Sequence, residues 1–236
     1  MNYIRTNYSP GHSRRTSVQE VGNILEQHDL LPLLSKMTKF LESSNAKGAQ
    51  GLFKMNSKDF EQTEVIKVRR MLGKDENVKL EEIDPRVVAE ALRQYIESMD
   101  EPLFTFDWYD TFVLAKDIHN KEFLVTYFWY TLSQLPHSNY NSIRQLFGFL
   151  TNLLSTTTDV NLTPRVVAEV FGPALLRPRE HQFYMESDFQ TAVEVIESLL
   201  RIYEDVVQKL NTTVSPETSP MPLKLSDVRR SLSFAM

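Results

Sequence analysis

The chain has 236 residues, enough for one sizeable domain with a real core, so a disulfide-stapled miniprotein is excluded. Its 42% apolar and 24% charged residues are ordinary globular composition, unlike that of a disordered chain. With 26 Lys plus Arg against 31 Asp plus Glu the net charge is -5, so no global basic field gathers nucleic-acid phosphates, and the lack of cysteine removes disulfides, thiolate metal sites and thiol nucleophiles together.

Residues 1–16 are polar, hold Arg5, Arg14 and Arg15, and lack the apolar segment of a secretory signal. The expectation is a flexible N-terminal segment on an intracellular, cytoplasmic protein. Glycosylation triplets at Asn7, Asn161 and Asn211 are then accidental. Glycine is scarce, at 7 residues, the hairpin dipeptides Asn-Gly and Asp-Gly are absent, and apolar residues recur at helical spacing, which predicts an all-α domain over residues 17–209. A first helix is expected from Ser17 with Val18, Val21 and Leu25 on one stripe. A second starts at Pro32, with Leu33, Leu34, Met37, Phe40 and Leu41 facing the core and an end before Ser43. A loop then leads into Gly51-Leu52-Phe53-Lys54.

Val65, Val68 and Leu72 mark a helix stopping near Gly73, and the charged residues 74–82 read as loop. Asp84-Pro85 is a cap followed by a first-turn proline, ahead of a stripe of Val88, Ala91, Leu92, Tyr95, Ile96 and Met99 that Glu101-Pro102 ends. Residues 123–135 are apolar almost all round, which predicts a central helix ended by Leu135-Pro136; their ten-residue apolar run is far short of the roughly 20 that span a bilayer. Ile143, Leu146, Phe147, Leu150, Leu153 and Leu154 mark the next helix. Thr163-Pro164 starts a short one that Gly172-Pro173 terminates, and Ser187 with Gln190 forms a capping box for the last. Pro-Arg-Val-Val-Ala-Glu occurs at residues 85–90 and again at 164–169, but the flanks diverge, and shared helix-start chemistry explains the repeat better than duplication.

From residue 210 the chain is polar, with Ser215-Pro216, Ser219-Pro220 and Pro222, and a disordered tail is expected over 210–236. Ser17, Ser215, Ser219, Ser231 and Ser233 resemble kinase sites, which suggests that phosphorylation at the termini regulates localisation or adaptor binding. The local signatures of a self-contained active site are missing: no phosphate loop, no dinucleotide fingerprint, no nucleophile elbow, no His-Glu-x-x-His. His12, His28, His119, His137 and His181 lack metal-ligand spacing. The carboxylate pairs Glu81-Glu82 and Asp100-Glu101 read as solvated charge, and the aromatics around Trp129 as core. No metal and no cofactor of its own is expected.

Several segments together resemble the RhoGAP domain, the all-helical module that binds Rho-family small GTPases and accelerates their GTP hydrolysis. Pro32-Leu33-Leu34 followed by Gly51-Leu52-Phe53-Lys54 is similar to its entry helix and Gly-Ile-Phe-Arg finger loop. Leu92-Arg93-Gln94-Tyr95-Ile96 with Glu101-Pro102-Leu103 resembles its helix ending in Leu-Pro-Glu-Pro-Leu, and Leu135-Pro136 with Asn139 its Leu-Pro-x-x-Asn. The run Leu162-Thr163-Pro164 through Ala168 to Phe171-Gly172-Pro173-Ala174-Leu175-Leu176 looks like its Met-Thr-x-x-Asn-Leu-Ala-x-x-Phe-Gly-Pro-x-Leu-Leu. The resemblance implies one RhoGAP-like bundle of about eight or nine helices whose partner carries the GTP and Mg²⁺.

In that family the finger arginine stabilises transition-state charge on the phosphate, an effect of about 10³ to 10⁵ in rate, or roughly 4 to 7 kcal/mol. The matching residue here is Lys54, which keeps the charge but loses the planar fork. The family's helix lysine maps onto Arg93, the arginine that helps support the finger onto Glu97, and the asparagine before Leu-Ala onto Val166, while Phe53 and Asn56 fall beside the finger as partner-facing positions. The resemblance thus implies a degenerate GTPase regulator with weak or absent activation. Alternatives are a full activator using Lys54, and a helical adaptor for other proteins or membranes; an enzyme with its own site is disfavoured. Arg69-Arg70 and Arg177 with Arg179 offer contacts for an acidic partner or anionic lipid at a membrane, although such pairs are usually solvated.

Overall fold

A computed structural model describes residues 30–43, 49–53, 62–73, 80–179 and 186–212. The helix expected from Ser17, Lys54, Asn56, the charged stretch 74–79 and the serines of the tail lie outside the described residues. Among those described, the secondary structure is entirely helical. It comprises α1 (Leu30–Leu41), α2 (Gln62–Gly73), α3 (Pro85–Glu97), α4 (Tyr109–Val113), α5 (Lys121–Ser133), α6 (His137–Thr156), α7 (Pro164–Leu175) and α8 (Glu186–Thr212), with 3-10 turns at Leu80–Glu82 and Leu114–Asp117. No helix among them is long and apolar enough to cross a membrane.

The starts of α3, α5 and α7 follow from local cap chemistry. Asp84 Oδ1 accepts the Arg86 amide at 2.8 Å ahead of Pro85, Asn120 Oδ1 accepts the Phe123 amide at 2.9 Å, and Thr163 Oγ1 accepts the Val166 amide at 3.3 Å ahead of Pro164. Each bond satisfies a first-turn amide that has no carbonyl partner in its own helix. The 27-residue α8 is the spine: α7 runs along it most extensively, α5 next, and α4 and α6 also touch it. On the far side of α7 lies α3, which α2 covers, and α1 bridges α3 and α6.

At the centre, Phe104 meets Phe112 edge to face at 4.7 Å and Phe147 at 6.0 Å, while Phe147 lies 5.5 Å from Tyr203 of α8. Trp129 is buried and belongs to this core, as its spacing implies. Two core tyrosines make directed bonds: Tyr127 donates to the Thr111 carbonyl at 2.6 Å and Tyr203 to the Arg144 carbonyl at 3.1 Å. Burial pushes the Tyr127 phenol up to about 12, so it stays a donor throughout the physiological range.

Four boundaries differ from the sequence expectation, each for a physical reason. α1 begins at Leu30, so Pro32 stands inside the first turn, where its missing N–H costs nothing. α3 stops at Glu97, ahead of Glu101-Pro102: the Ser98 hydroxyl donates to the Tyr95 carbonyl at 2.8 Å and accepts from Arg69 of α2 at 3.0 Å, and Met99 is half-buried just beyond the helix. α7 runs through Gly172-Pro173 to Leu175, with its last turn closed by the Leu176 amide on the Gly172 carbonyl at 2.9 Å. Gly172 is there for helix crossing, since a Cβ on it would sit 3.3 Å from the Ala192 and Val193 backbone of α8. α8 begins at Glu186, so Ser187 is within the helix and Gln190 donates to the Glu186 carboxylate at 3.2 Å. The five-residue α4 and the turn after it were not legible, being too short to show a period, yet Phe112 within α4 is fully buried.

Candidate functional site

The residues that carry the sequence resemblance hold one another in place. Asn139 Nδ2 donates to the Leu103 carbonyl at 3.0 Å, tying the Leu-Pro-x-x-Asn segment to Glu101-Pro102-Leu103, and the Phe104 amide donates to the Leu175 carbonyl at 3.2 Å, tying that segment to the end of α7. Arg177 completes the junction. It is only 6% exposed and gives its guanidinium to the carbonyls of Ala174, Met99 and Asp100.

Against α7 lie residues 50–53, a short loop that turns by left-handed backbone at Gly51 (φ 74) and Phe53 (φ 63). Glycine takes that conformation freely; for Phe53 it costs of order 1 to 3 kcal/mol, against which burial of its ring on α7 acts. Leu52 and Phe53 are both buried, and the Phe53 ring meets Phe171 of α7 edge to face at 5.0 Å. From the connection between α6 and α7, Asp159 Oδ2 accepts the Gly51 amide at 2.9 Å, while Oδ1 accepts the Asn161 amide at 3.0 Å. These backbone donors, Gly51 first, hold the Asp159 carboxyl below the usual carboxylate range. A groove of about 620 Å³ opens between the loop, this connection and α7, lined in part by Phe53, Asp159 and Val166.

A second groove of about 520 Å³ lies between α3 and α7, with Arg93 and Glu97 on one wall and Pro173 and Ala174 on the other. The two grooves share Glu169 and Val170, so they form a continuous face along α7. Arg93 is gripped within it. Its Nε and Nη2 donate to the Glu90 carboxylate at 2.9 and 2.7 Å, and its Nη1 donates to Glu97 at 2.9 Å. The Glu90 hydrogen bond, then the carboxylate charges, raise the arginine's affinity for its proton against the opposing effect of burial. Burial pushes Glu90 up, but donation from Arg93 and Gln94 outweighs it and leaves the carboxyl below its ordinary value.

The structure therefore brings Phe53, Arg93, Glu97 and Val166 to one face. Two residues of this face escaped the sequence reading. Glu90 was detectable, because carboxylates three residues before and four after an arginine share its side of a helix. Asp159 was not, because its partner Gly51 is 108 residues away. Of the basic pairs, two members differ from expectation: Arg177 is buried and Arg69 turns toward Gln94 and Ser98 at 3.3 and 3.0 Å, whereas Arg70 and Arg179 are exposed, the latter in a surface ion pair with Asp107 at 2.8 Å.

Comparison with known proteins places the fold and the sequence pattern. The RhoGAP domain matches residues 32–180. Rho GTPase-activating protein gacN of Dictyostelium discoideum is 27% identical over 207 residues, covering 86% of this chain and 33% of that protein. Rho GTPase-activating protein 44 of Rattus norvegicus is 34% identical over 126 residues, covering 53% of this chain and 15% of the relative. This chain thus spans about a third or less of the curated relatives it matches. Among solved structures, human Rho GTPase activating protein 15 superposes with a TM-score of 0.68 at 20% identity, covering 79% of this chain and 89% of that one. The BH domain from GRAF, the GTPase regulator associated with focal adhesion kinase, gives 0.65 at 22%, covering 83% and 98%. With the family pattern spanning well over half of the sequence and its motifs interlocked at one junction, the chain belongs to the RhoGAP domain family.

Proposed function

We propose that this chain is a regulator of Rho-family GTPases in cytoplasmic signalling that binds its partner through the face shared by the residue 50–53 loop, α3 and α7, and that it stimulates GTP hydrolysis weakly or not at all. The GTP and Mg²⁺ belong to the partner, and Lys54 is the residue this chain offers to the phosphates. The observation that carries the weak-activity reading is the grip on Arg93: its guanidinium is engaged by Glu90 and Glu97. An arginine at position 97 would repel Arg93 outward and add donors; the glutamate draws it back along α3 and adds negative charge where phosphate is to be approached. Val166, with no side-chain amide, adds no side-chain hydrogen bond to the partner.

Pull-down against Rho-family proteins carrying GTP, GDP and a phosphoryl-transfer mimic tests the binding, and single-turnover hydrolysis tests the chemistry. The native chain should bind at least one nucleotide state and raise hydrolysis by less than tenfold. Lys54→Arg should recover only part of the family's roughly 10³- to 10⁵-fold effect, and adding Glu97→Arg and Val166→Asn should recover more. Native stimulation within tenfold of an arginine-finger member refutes weak activity; no binding in any state favours an adaptor for other partners.

A further inference from the structure

The loop at residues 50–53 has few means of holding its own shape. Its backbone is left-handed at Gly51 and Phe53, and among the described residues its hydrogen-bonded tie to the rest of the chain is the Gly51 amide on Asp159, across 108 residues of sequence. Asp159 is built to receive it. Its own amide donates to Thr157 Oγ1 at 3.1 Å, and its second oxygen is occupied by the Asn161 amide and side chain at 3.0 and 3.2 Å, which leaves Oδ2 directed at Gly51. Thr163 then starts α7 immediately beyond, so the carboxylate stands on a connection fixed at its far end by a capped helix. Leu52 and Phe53 add burial to the same loop, the latter against Phe171 of α7.

Apolar contact alone constrains such a loop poorly, because burying Leu52 and Phe53 does not set the rotation of the peptide that ends at Gly51, ahead of them. A charge-assisted hydrogen bond to the amide at the left-handed turn does set it. We infer that Asp159 is a positioning residue for the partner-binding loop: it fixes the peptide at Gly51, and through it the left-handed turn that carries Leu52 and Phe53. This rests on the GTPase-binding function proposed above. An asparagine in its place has one acceptor oxygen and turns an amide N–H toward a second donor, so it holds either Gly51 or Asn161 but not both.

The test uses the full chain with Asp159→Asn and Asp159→Ala, and Asn152→Ala as a control. Asn152 lies nearby at the end of α6 and donates to Glu42 at 3.1 Å, away from the loop. Two quantities are read: hydrogen exchange at the Gly51 amide by nuclear magnetic resonance, relative to amides within α7 and α8, and affinity for a Rho-family GTPase loaded with a phosphoryl-transfer mimic. Asp159→Ala should speed Gly51 exchange roughly tenfold or more, with core amides and thermal midpoint nearly unchanged, and should weaken the GTPase roughly tenfold. Asp159→Asn should fall between, and it decides the matter should the alanine variant not fold. Asn152→Ala should move neither quantity. Unchanged Gly51 exchange in both variants overturns the assignment, as does faster exchange with unaltered affinity, since the anchor would then have no consequence for the partner. If the native chain binds no GTPase, the proposed function fails, and exchange at Gly51 still decides whether Asp159 holds the loop.

Discussion

Gly148 and Gly172 are both helical glycines, and their surroundings give them opposite expected behaviour. A Cβ at Gly148 in α6 meets nothing within 4 Å, so Gly148→Ala should stabilise by roughly 0.5 to 1 kcal/mol through helix propensity. At Gly172 the same propensity gain is opposed by three backbone atoms of α8 at 3.3 Å, which cannot rotate away as a side chain would. Overpacking of this kind costs about 1 to 3 kcal/mol, so Gly172→Ala should destabilise by about 1 kcal/mol net. Urea unfolding of the two variants measures both, and a stabilised Gly172→Ala would mean that α7 and α8 separate more readily than their packing implies. Sequence marked Gly172 as a helix end because Pro173 follows it; only the neighbouring helix reveals that the lack of a side chain is what matters there. Arg93 is the reverse case, since Glu90 and Glu97 lie within one helical turn of it and the grip was legible from spacing alone.

At the scale of the element, α3 depends on its cap. Asp84 accepts the Arg86 amide and, through both oxygens, the Arg86 guanidinium, with Arg86 Nη2 at 2.6 Å from Oδ2. Asp84→Ala should cost about 1 kcal/mol. The hydrogen bonds from Arg86, its side chain foremost, hold the Asp84 carboxyl below its ordinary value. Because the folded value lies below the unfolded one, this contribution is complete above the unfolded carboxylate range and disappears as pH falls through the folded value. The destabilisation by Asp84→Ala should therefore be full at neutral pH and shrink in acid below the usual carboxylate range; paired denaturation curves at the two pH values check it, and a cost independent of pH would assign the effect to the backbone rather than to the charge. Caps of this kind were readable at Asp84 and Thr163 because donor and acceptor are two or three residues apart. The end of α3 was not, because Ser98 and Arg69 of α2 decide it together, and neither is near the other in sequence.

Across the whole molecule, α4, α6 and α8 meet through a chain of aromatic rings within one continuous core. Phe147 is fully buried and touches both Phe104 and Tyr203, so Phe147→Ala should cost about 3 to 5 kcal/mol. A lower denaturation midpoint with unchanged slope is the expected signature, whereas a changed slope would place part of the effect in the unfolded state. The proposed partner-binding face lies at the edge of the same region. Asn139, Leu103, Phe104, Leu175 and Arg177 bind three segments distant in sequence into one support, on which α7 offers the grooves beside Phe53 and Arg93.

The helical class, the caps at Asp84 and Thr163, most of the core stripes, the family and the charge pattern along α3 were contained in the sequence by itself, because each depends on residues within a few positions of one another or on motifs in a fixed order. The continuation of α7 past Pro173, the inward turn of Arg69 and Arg177, and the anchoring of Gly51 by Asp159 were decided only by the tertiary structure. In each, the partner is supplied by a different helix or connection, and no local pattern records which donor will meet which acceptor once those elements close against each other.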